Sequence, residues 1–169
     1  MKQFKTLLFA AALFVGATSF TVAQSKVAHI NTTELVEAMP EMKTAQSEIE
    51  KLTKTYEAQI KEMANELQNK MKQYQAEVDT KTDEENAKRA QEVQTMEQSI
   101  RQYQAQAQQD LQKKEAELLK PIFDKAKAAI QKVAKAQGFN YVLDSTQGGG
   151  VLVADGKDLL PDVKKELGF

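Results

Sequence analysis

The sequence predicts a mostly helical α+β protein in which a long antiparallel α-helical hairpin projects from a small β-rich body. Three observations predict it. Eighty consecutive residues, 41–120, contain neither glycine nor proline. Apolar side chains in that span recur at helical spacing, in two stripes separated by a short polar run. The short β-type runs, and every glycine after residue 24, lie outside it.

The hairpin span is dominated by Glu, Lys, Gln and Ala, which favour or tolerate helix. Met42, Ala45, Ile49, Leu52 and Tyr56 open a stripe at alternating spacings of three and four. Ile60, Met63, Leu67, Met71, Tyr74 and Val78 continue it. The run "DTKTDEEN", residues 79–86, then carries no apolar residue. A second stripe follows through Val93, Met96, Ile100, Tyr103, Ala107, Leu111 and Leu118. Two matched stripes joined by a polar break describe an antiparallel pair of helices. Pro40 suits the first turn of the first arm. About 38 residues per arm at 1.5 Å each give a projection of roughly 55–60 Å.

The flanks read differently. "KVAHIN", residues 26–31, suits a strand, and a short helix over 33–38 follows. After Pro121 a separate amphipathic helix with Ile122, Phe123, Ala126, Ile130 and Val133 ends near Gly138. "FNYVLDS" (139–145) and "GVLVAD" (150–155) are rich in β-branched and apolar residues and read as two further strands. Gly148 to Gly150 connect them, and Asp155-Gly156 is a turn. Asp158 can cap a last helix through Leu167, with Pro161 in its first turn. The predicted hairpin therefore spans 40–120, and the body combines 24–39 with 121–169.

Residues 1–23 have the layout of a secretory signal peptide: Lys2 and Lys5, an apolar run from Leu7 to Val15, and small residues at Thr21 and Ala23 for cleavage after Ala23. The apolar run is far short of the roughly 20 residues that a bilayer core requires. The formal charge of −1 includes the two leader lysines and no leader acid, so the processed chain carries −3. That balance argues against a nucleic-acid binder, which usually shows a basic face or stripe. The chain has no cysteine. It is therefore read as an exported soluble protein without disulfides or a lipid-bearing N-terminal cysteine.

"QGGGVLVADGKD", residues 147–158, superficially resembles a phosphate-binding loop. Such a loop needs four residues between its glycines and a Ser or Thr after the lysine. Here five residues separate Gly150 from Gly156, and Asp158 follows Lys157. The only histidine, His29, sits inside the first strand-like run without a partner constellation. Asp155, Asp158 and Asp162 miss the spacing of a calcium loop. No catalytic, cofactor-binding or metal-ligating set is identified, and no enzyme activity or cofactor is expected.

The body, 13 residues before the hairpin and 49 after it, totals 62 residues. A core of that size is marginal alone, and few short strands leave open edges. Self-association through the strands is expected, with Val27, Ile30, Val142, Leu143, Val151 and Val153 as candidate interface residues. Along the hairpin, Met63, Met71, Tyr74, Met96 and Tyr103 fill the seam and are also the candidates for contact with a partner, because methionine adapts to varied surfaces. Off the stripes the apolar residues are mostly alanines such as Ala58, Ala64, Ala76 and Ala105. Such walls hold a partner loosely, through many weak contacts.

The segments 26–52 ("KVAHINTTELVEAMPEMKTAQSEIEKL") and 134–167 ("AKAQGFNYVLDSTQGGGVLVADGKDLLPDVKKEL"), with the hairpin between them, resemble the Skp/OmpH family of periplasmic chaperones. The resemblance implies a homotrimer whose β-rich body carries three tentacles around a cavity. It also implies a function: holding unfolded outer-membrane β-barrel proteins in the periplasm without ATP. One departure concerns the tentacle tip, which some family members make strongly basic. Residues 70–89 hold five basic and five acidic side chains, so charge does not support lipid or membrane-surface capture. A structural coiled-coil adaptor between envelope components is the alternative function.

Overall fold

The computed structural model describes residues 25–169. The expected signal peptide lies outside the described residues. The elements run β1 (Val27–Ile30), α1 (Thr32–Ala38), α2 (Pro40–Glu77), a short 3-10 turn (Val78–Thr80), α3 (Asp83–Ala136), β2 (Tyr141–Asp144), β3 (Lys157–Asp158) and α4 (Leu160–Leu167).

Helices α2 and α3 form the antiparallel hairpin. Cross-arm contacts between Glu41 and Lys125, Glu48 and Lys114, Tyr56 and Asp110, and Glu77 and Arg89 mark its register. Thirty-six residues separate Glu41 from Glu77, and thirty-six separate Arg89 from Lys125, so the register holds along the full length. At the tip, Thr82 caps α3 by accepting the Glu85 N–H at 3.2 Å. Asn86 closes the turn by donating its side-chain N–H to the Val78 carbonyl at 2.9 Å. The polar break is thus shorter than the composition implies, because capping draws residues 83–86 into the helix.

Pro121 does not end a helix. α3 passes through it and continues for 54 residues in all. A proline inside a helix loses one backbone bond and costs about 3 kcal/mol. Here Pro121 faces solvent, where water can satisfy the freed carbonyl. Leu118, Ile122, Ala126, Ala129 and Val133 extend one apolar face straight across the proline, and four of these five residues are buried in the body. Their burial outweighs the local cost. The front joint behaves differently. Met39 is extended (φ −66°, ψ 131°) ahead of Pro40, so α1 and α2 are separate helices.

The sheet has the order β2–β1–β3, with both outer strands parallel to β1. Ala28 and Ile30 face the helices and are 1 % exposed. They pack with Leu35, Met39, Val133, Leu159 and Val163 in a small core confined to the body. Asn31 caps α1 by accepting the Glu34 N–H. Asp144 accepts from the Thr32 hydroxyl at 2.6 Å and the Thr146 hydroxyl at 2.7 Å, and so pins the end of β2 to the start of α1. Asp158 accepts the Leu160 N–H at 2.9 Å, and Gly168 at φ 90° closes α4.

The expected strand at 150–155 is absent; only Lys157–Asp158 pairs with β1. Residues 150–155 pair with no strand among the described residues. The glycines before them serve the turn. Gly148 and Gly150 have φ of 86° and 87°, and a Cβ on Gly149 would meet the Thr146 carbonyl oxygen at 2.9 Å.

Two outcomes are expected. Pro121→Ala restores a backbone bond in a helix that is already continuous, and it should raise the unfolding free energy by at most about 3 kcal/mol, read as a higher urea midpoint. Burial alone would raise the Asp144 carboxyl, but hydrogen bonds from Thr32 and Thr146 outweigh it and hold the group at about 2. A depressed folded value gives stability that is present above the ordinary carboxylate range and is lost as pH falls through about 2. Asp144→Asn should therefore cost about 1 kcal/mol at pH 7, after allowance for solvent screening. The difference from wild type should shrink toward zero near pH 2 in parallel denaturation curves.

Candidate functional site

Three surfaces are candidates for function: the hairpin seam, the uncovered face of the sheet, and an apolar groove beside it. Each follows from which side chains the fold leaves without a partner.

Along the seam the five candidate contact residues divide by burial. Met63, Tyr74, Met96 and Tyr103 are half-buried between the arms, while Met71 is 48 % exposed. Both tyrosines are engaged internally. Tyr103 donates its hydroxyl to Gln59 and stacks edge-on against Tyr56, centroids 5.9 Å apart. Tyr74 donates to Glu92 at 2.5 Å. Met71 and Tyr74 meet Val78, Arg89, Ala90 and Val93 around a notch of about 320 Å³ near the tip.

A polar clasp borders this notch. Lys70 and Tyr74 both donate to Glu92, and those bonds hold its carboxyl below the usual carboxylate range. The bond to Glu92, with burial, pushes the Tyr74 phenol up. Arg89 pairs with Glu77 at 2.7 Å and lies 4.7 Å from the Tyr74 ring centre, a cation–π distance. Its Nη1 is buried without a hydrogen-bond acceptor. Lys81 and Lys88 pair with Glu85 and Glu84. Among the described residues, Lys72 is the only one of the five basic tip residues in no ion pair. Four of the five tip cations are thus neutralised by carboxylates of the hairpin itself. Sequence reasoning counted these charges without seeing the clasp, although the register of the two stripes places Lys70 and Tyr74 opposite Glu92.

The six candidate interface residues separate by strand alternation. Val27 pairs with Tyr141, and His29 with Leu143. These four point away from the helices; Val27 and Leu143 are each 45 % exposed and Tyr141 is 61 % exposed. Ile30 faces the protomer's own core at 1 % exposure, so it is not available to another chain. Val142 also faces the helices, half-buried. Val151 is half-buried and Val153 is 72 % exposed, in the irregular segment before β3. The V-A-H-I alternation already contained the signal that divides these residues. Parallel sheets are ordinarily covered on both faces, and this one has helices on one face only.

On the helix side, α3, α1 and β2 enclose an apolar groove of about 740 Å³ lined by Val36, Phe123, Ile130, Phe139 and Val142. Phe123 is 51 % exposed and links it to a second hollow at Leu119. Lys127 and Lys135 stand on its rim. Among the described residues no group of three His, Asp or Glu side chains is placed to hold a metal ion. No described helix is long and apolar enough to cross a membrane.

A hairpin of this register, carried on a half-covered three-stranded body, coincides with a family model described as outer membrane protein (OmpH-like), which matches residues 26–167. The chain belongs to the OmpH-like family. No curated protein matches it. The OmpH-like chain also shares its fold with a solved structure from Caulobacter crescentus, a candidate outer membrane chaperone (OmpH-like). The TM-score is 0.74 at 17 % identity, covering 85 % of this chain and 83 % of that one. At that identity the likeness concerns the fold.

The clasp generates one expectation. Glu92→Ala leaves Lys70 and Tyr74 without their shared acceptor while touching nothing in the body. Backbone amides in residues 70–92 should then exchange about five-fold faster. Amides of β1 and α4 should keep their wild-type rates in the same exchange experiment.

Proposed function

We propose that this OmpH-like chain is an exported, ATP-independent holdase. Three copies join through their β-rich bodies, and the arms surround unfolded outer-membrane β-barrel proteins in the periplasm and prevent their aggregation. The observation that carries this reading is an arm of about 38 residues per helix that buries only a seam. Ala45 and Ala107 are the only buried residues along it before the body begins. Such an arm has no core to protect and a large surface to offer. Its outer faces are charged residues, glutamine and alanine, which bind weakly and at many points.

The self-association part rests on the uncovered face of the parallel sheet, where Val27, Tyr141 and Leu143 stand in solvent. The export part rests on the leader layout of residues 1–23. Met71 is the candidate contact residue best placed for a client, since Tyr74 and Tyr103 are committed to bonds within the hairpin. The action is binding and release, with no bond made or broken in the client.

The processed chain, added without nucleotide, should suppress light scattering from an outer-membrane barrel protein diluted out of urea at about one trimer per client. Continued aggregation at excess chaperone would remove the proposal. Retention of a folded, stoichiometric partner, with no preference for unfolded chains, would favour the adaptor function instead.

A further inference from the structure

We propose that Asp155–Gly156 is a site of spontaneous covalent modification, at which the folded chain converts aspartate to isoaspartate through a cyclic imide. This modification belongs to the body and is independent of self-association and of client holding.

Asp155 is the only aspartate or asparagine followed by glycine. The reaction brings the backbone nitrogen of the following residue onto the aspartyl Cγ, and a side chain on that residue obstructs the approach. Glycine has no Cβ to obstruct it and the least restricted backbone. The fold adds three further conditions. The Asp155 carboxyl is exposed and takes part in no ion pair among the described residues. The Gly156 N–H donates to no carbonyl among the described residues, so its nitrogen is open to lose a proton. Residues 151–156 belong to no helix or strand, and the Asp155 torsions are free to turn the carboxyl toward that nitrogen. Space is available as well: a Cβ added to Gly156 would meet nothing closer than the Val27 carbonyl oxygen at 3.7 Å.

Asp144–Ser145 provides the contrast, since serine is also small. The Asp144 carboxyl accepts from the N–H and the hydroxyl of both Thr32 and Thr146, and the Ser145 N–H is given to the Ile30 carbonyl at 2.9 Å. Asp158 is held in the same way. It accepts the Leu160 N–H at 2.9 Å, and the Leu159 N–H is given to the His29 carbonyl at 2.9 Å. Both of these steps must open before they can react; Asp155 is already open.

The Gly156 nitrogen, giving up its proton, attacks Cγ of the protonated Asp155 carboxyl. The N–Cγ bond forms, the Cγ–OH bond breaks, and the hydroxyl leaves with the proton as one water. A second water then opens the imide. Attack at Cγ returns aspartate. Attack at the Asp155 backbone carbonyl carbon breaks its bond to the Gly156 nitrogen and leaves the chain joined through Cγ. Mass is unchanged, and the main chain gains one atom. The fold can absorb that atom. Downstream, His29 Nε2–H donates to the Gly156 carbonyl at 3.2 Å, and Lys157 pairs with Asp162 at 2.9 Å. Upstream, residues 151–154 pair with no strand among the described residues and take up the slack. Isomerised chains therefore stay folded and accumulate.

The processed chain is incubated at neutral pH and physiological temperature for several weeks, folded or in urea, then digested. Peptides are read by mass spectrometry and by isoaspartate-specific methylation. A mass-neutral, separately eluting form of the Asp155 peptide is expected from the folded protein. Its rate should lie within about three-fold of that in urea, because segments of this kind open at almost no free-energy cost. The Asp144 peptide should convert only in urea. Conversion at Asp155 confined to the unfolded chain would overturn the inference, as would equal conversion at Asp144 and Asp155 in the folded protein. Gly156→Ala should keep the wild-type circular dichroism and lose the conversion over the same period; conversion as fast as in wild type would overturn the inference too.

Discussion

Burial of Ile122, Ala126, Ala129 and Val133 against β1 and α4 is the interaction on which the molecule depends. It is made by the last third of α3, and the first two thirds of that helix form one arm of the hairpin. One helix therefore belongs to both parts. The arm is held upright by the core, and the core owes a wall to the arm. In a body with so few large buried side chains, this shared wall is a substantial fraction of all the apolar surface removed from water.

The rest of the architecture follows from how little is left to bury. The three strands are two to four residues long, and helices cover one side of them. The arms contribute a seam lined by medium-sized side chains and closed by polar contacts at Tyr56, Tyr103 and the Glu92 clasp. Apolar surface consequently remains mainly in three places in the body, the bare sheet face, the groove under Phe123 and the unpaired residues before β3, with Met71 and Val78 near the tip as the exceptions on the hairpin. The arms, by contrast, expose mainly charge and amide.

Much of this was legible in the sequence. The stripes, the polar break, β1, β2, α1 and α4 were all visible as spacing, capping residues and β-branched runs, because each depends on neighbours within a few positions. The misreadings share a different character. Pro121 looked like a boundary because its local cost is certain, whereas the stripe that overrides it is stabilised by β1, nearly a hundred residues away. Residues 150–155 looked like a strand because their composition suits one, but a strand also needs an edge to join. Ile30 looked like interface because it is apolar and in a strand, and only the alternation with His29 tells which face it takes. The clasp around Glu92 was hidden for a related reason. A charge count adds the residues of a tip together, while the fold sorts them into pairs.

The two joints between arm and body are unlike, and this governs how the hairpin can move. At the front, the helix is interrupted: Met39 is extended before Pro40, with its side chain held in the core. At the back, α3 is an unbroken rod weakened at a single rung. A rod of this kind clamped at one end is a lever nearly 60 Å long. Displacing its far end loads the rod at the weak rung and twists the clamp. Whatever presses sideways on the hairpin is thus felt in the sheet, and the stiffness of one proline-bearing turn sets how far its tip can swing.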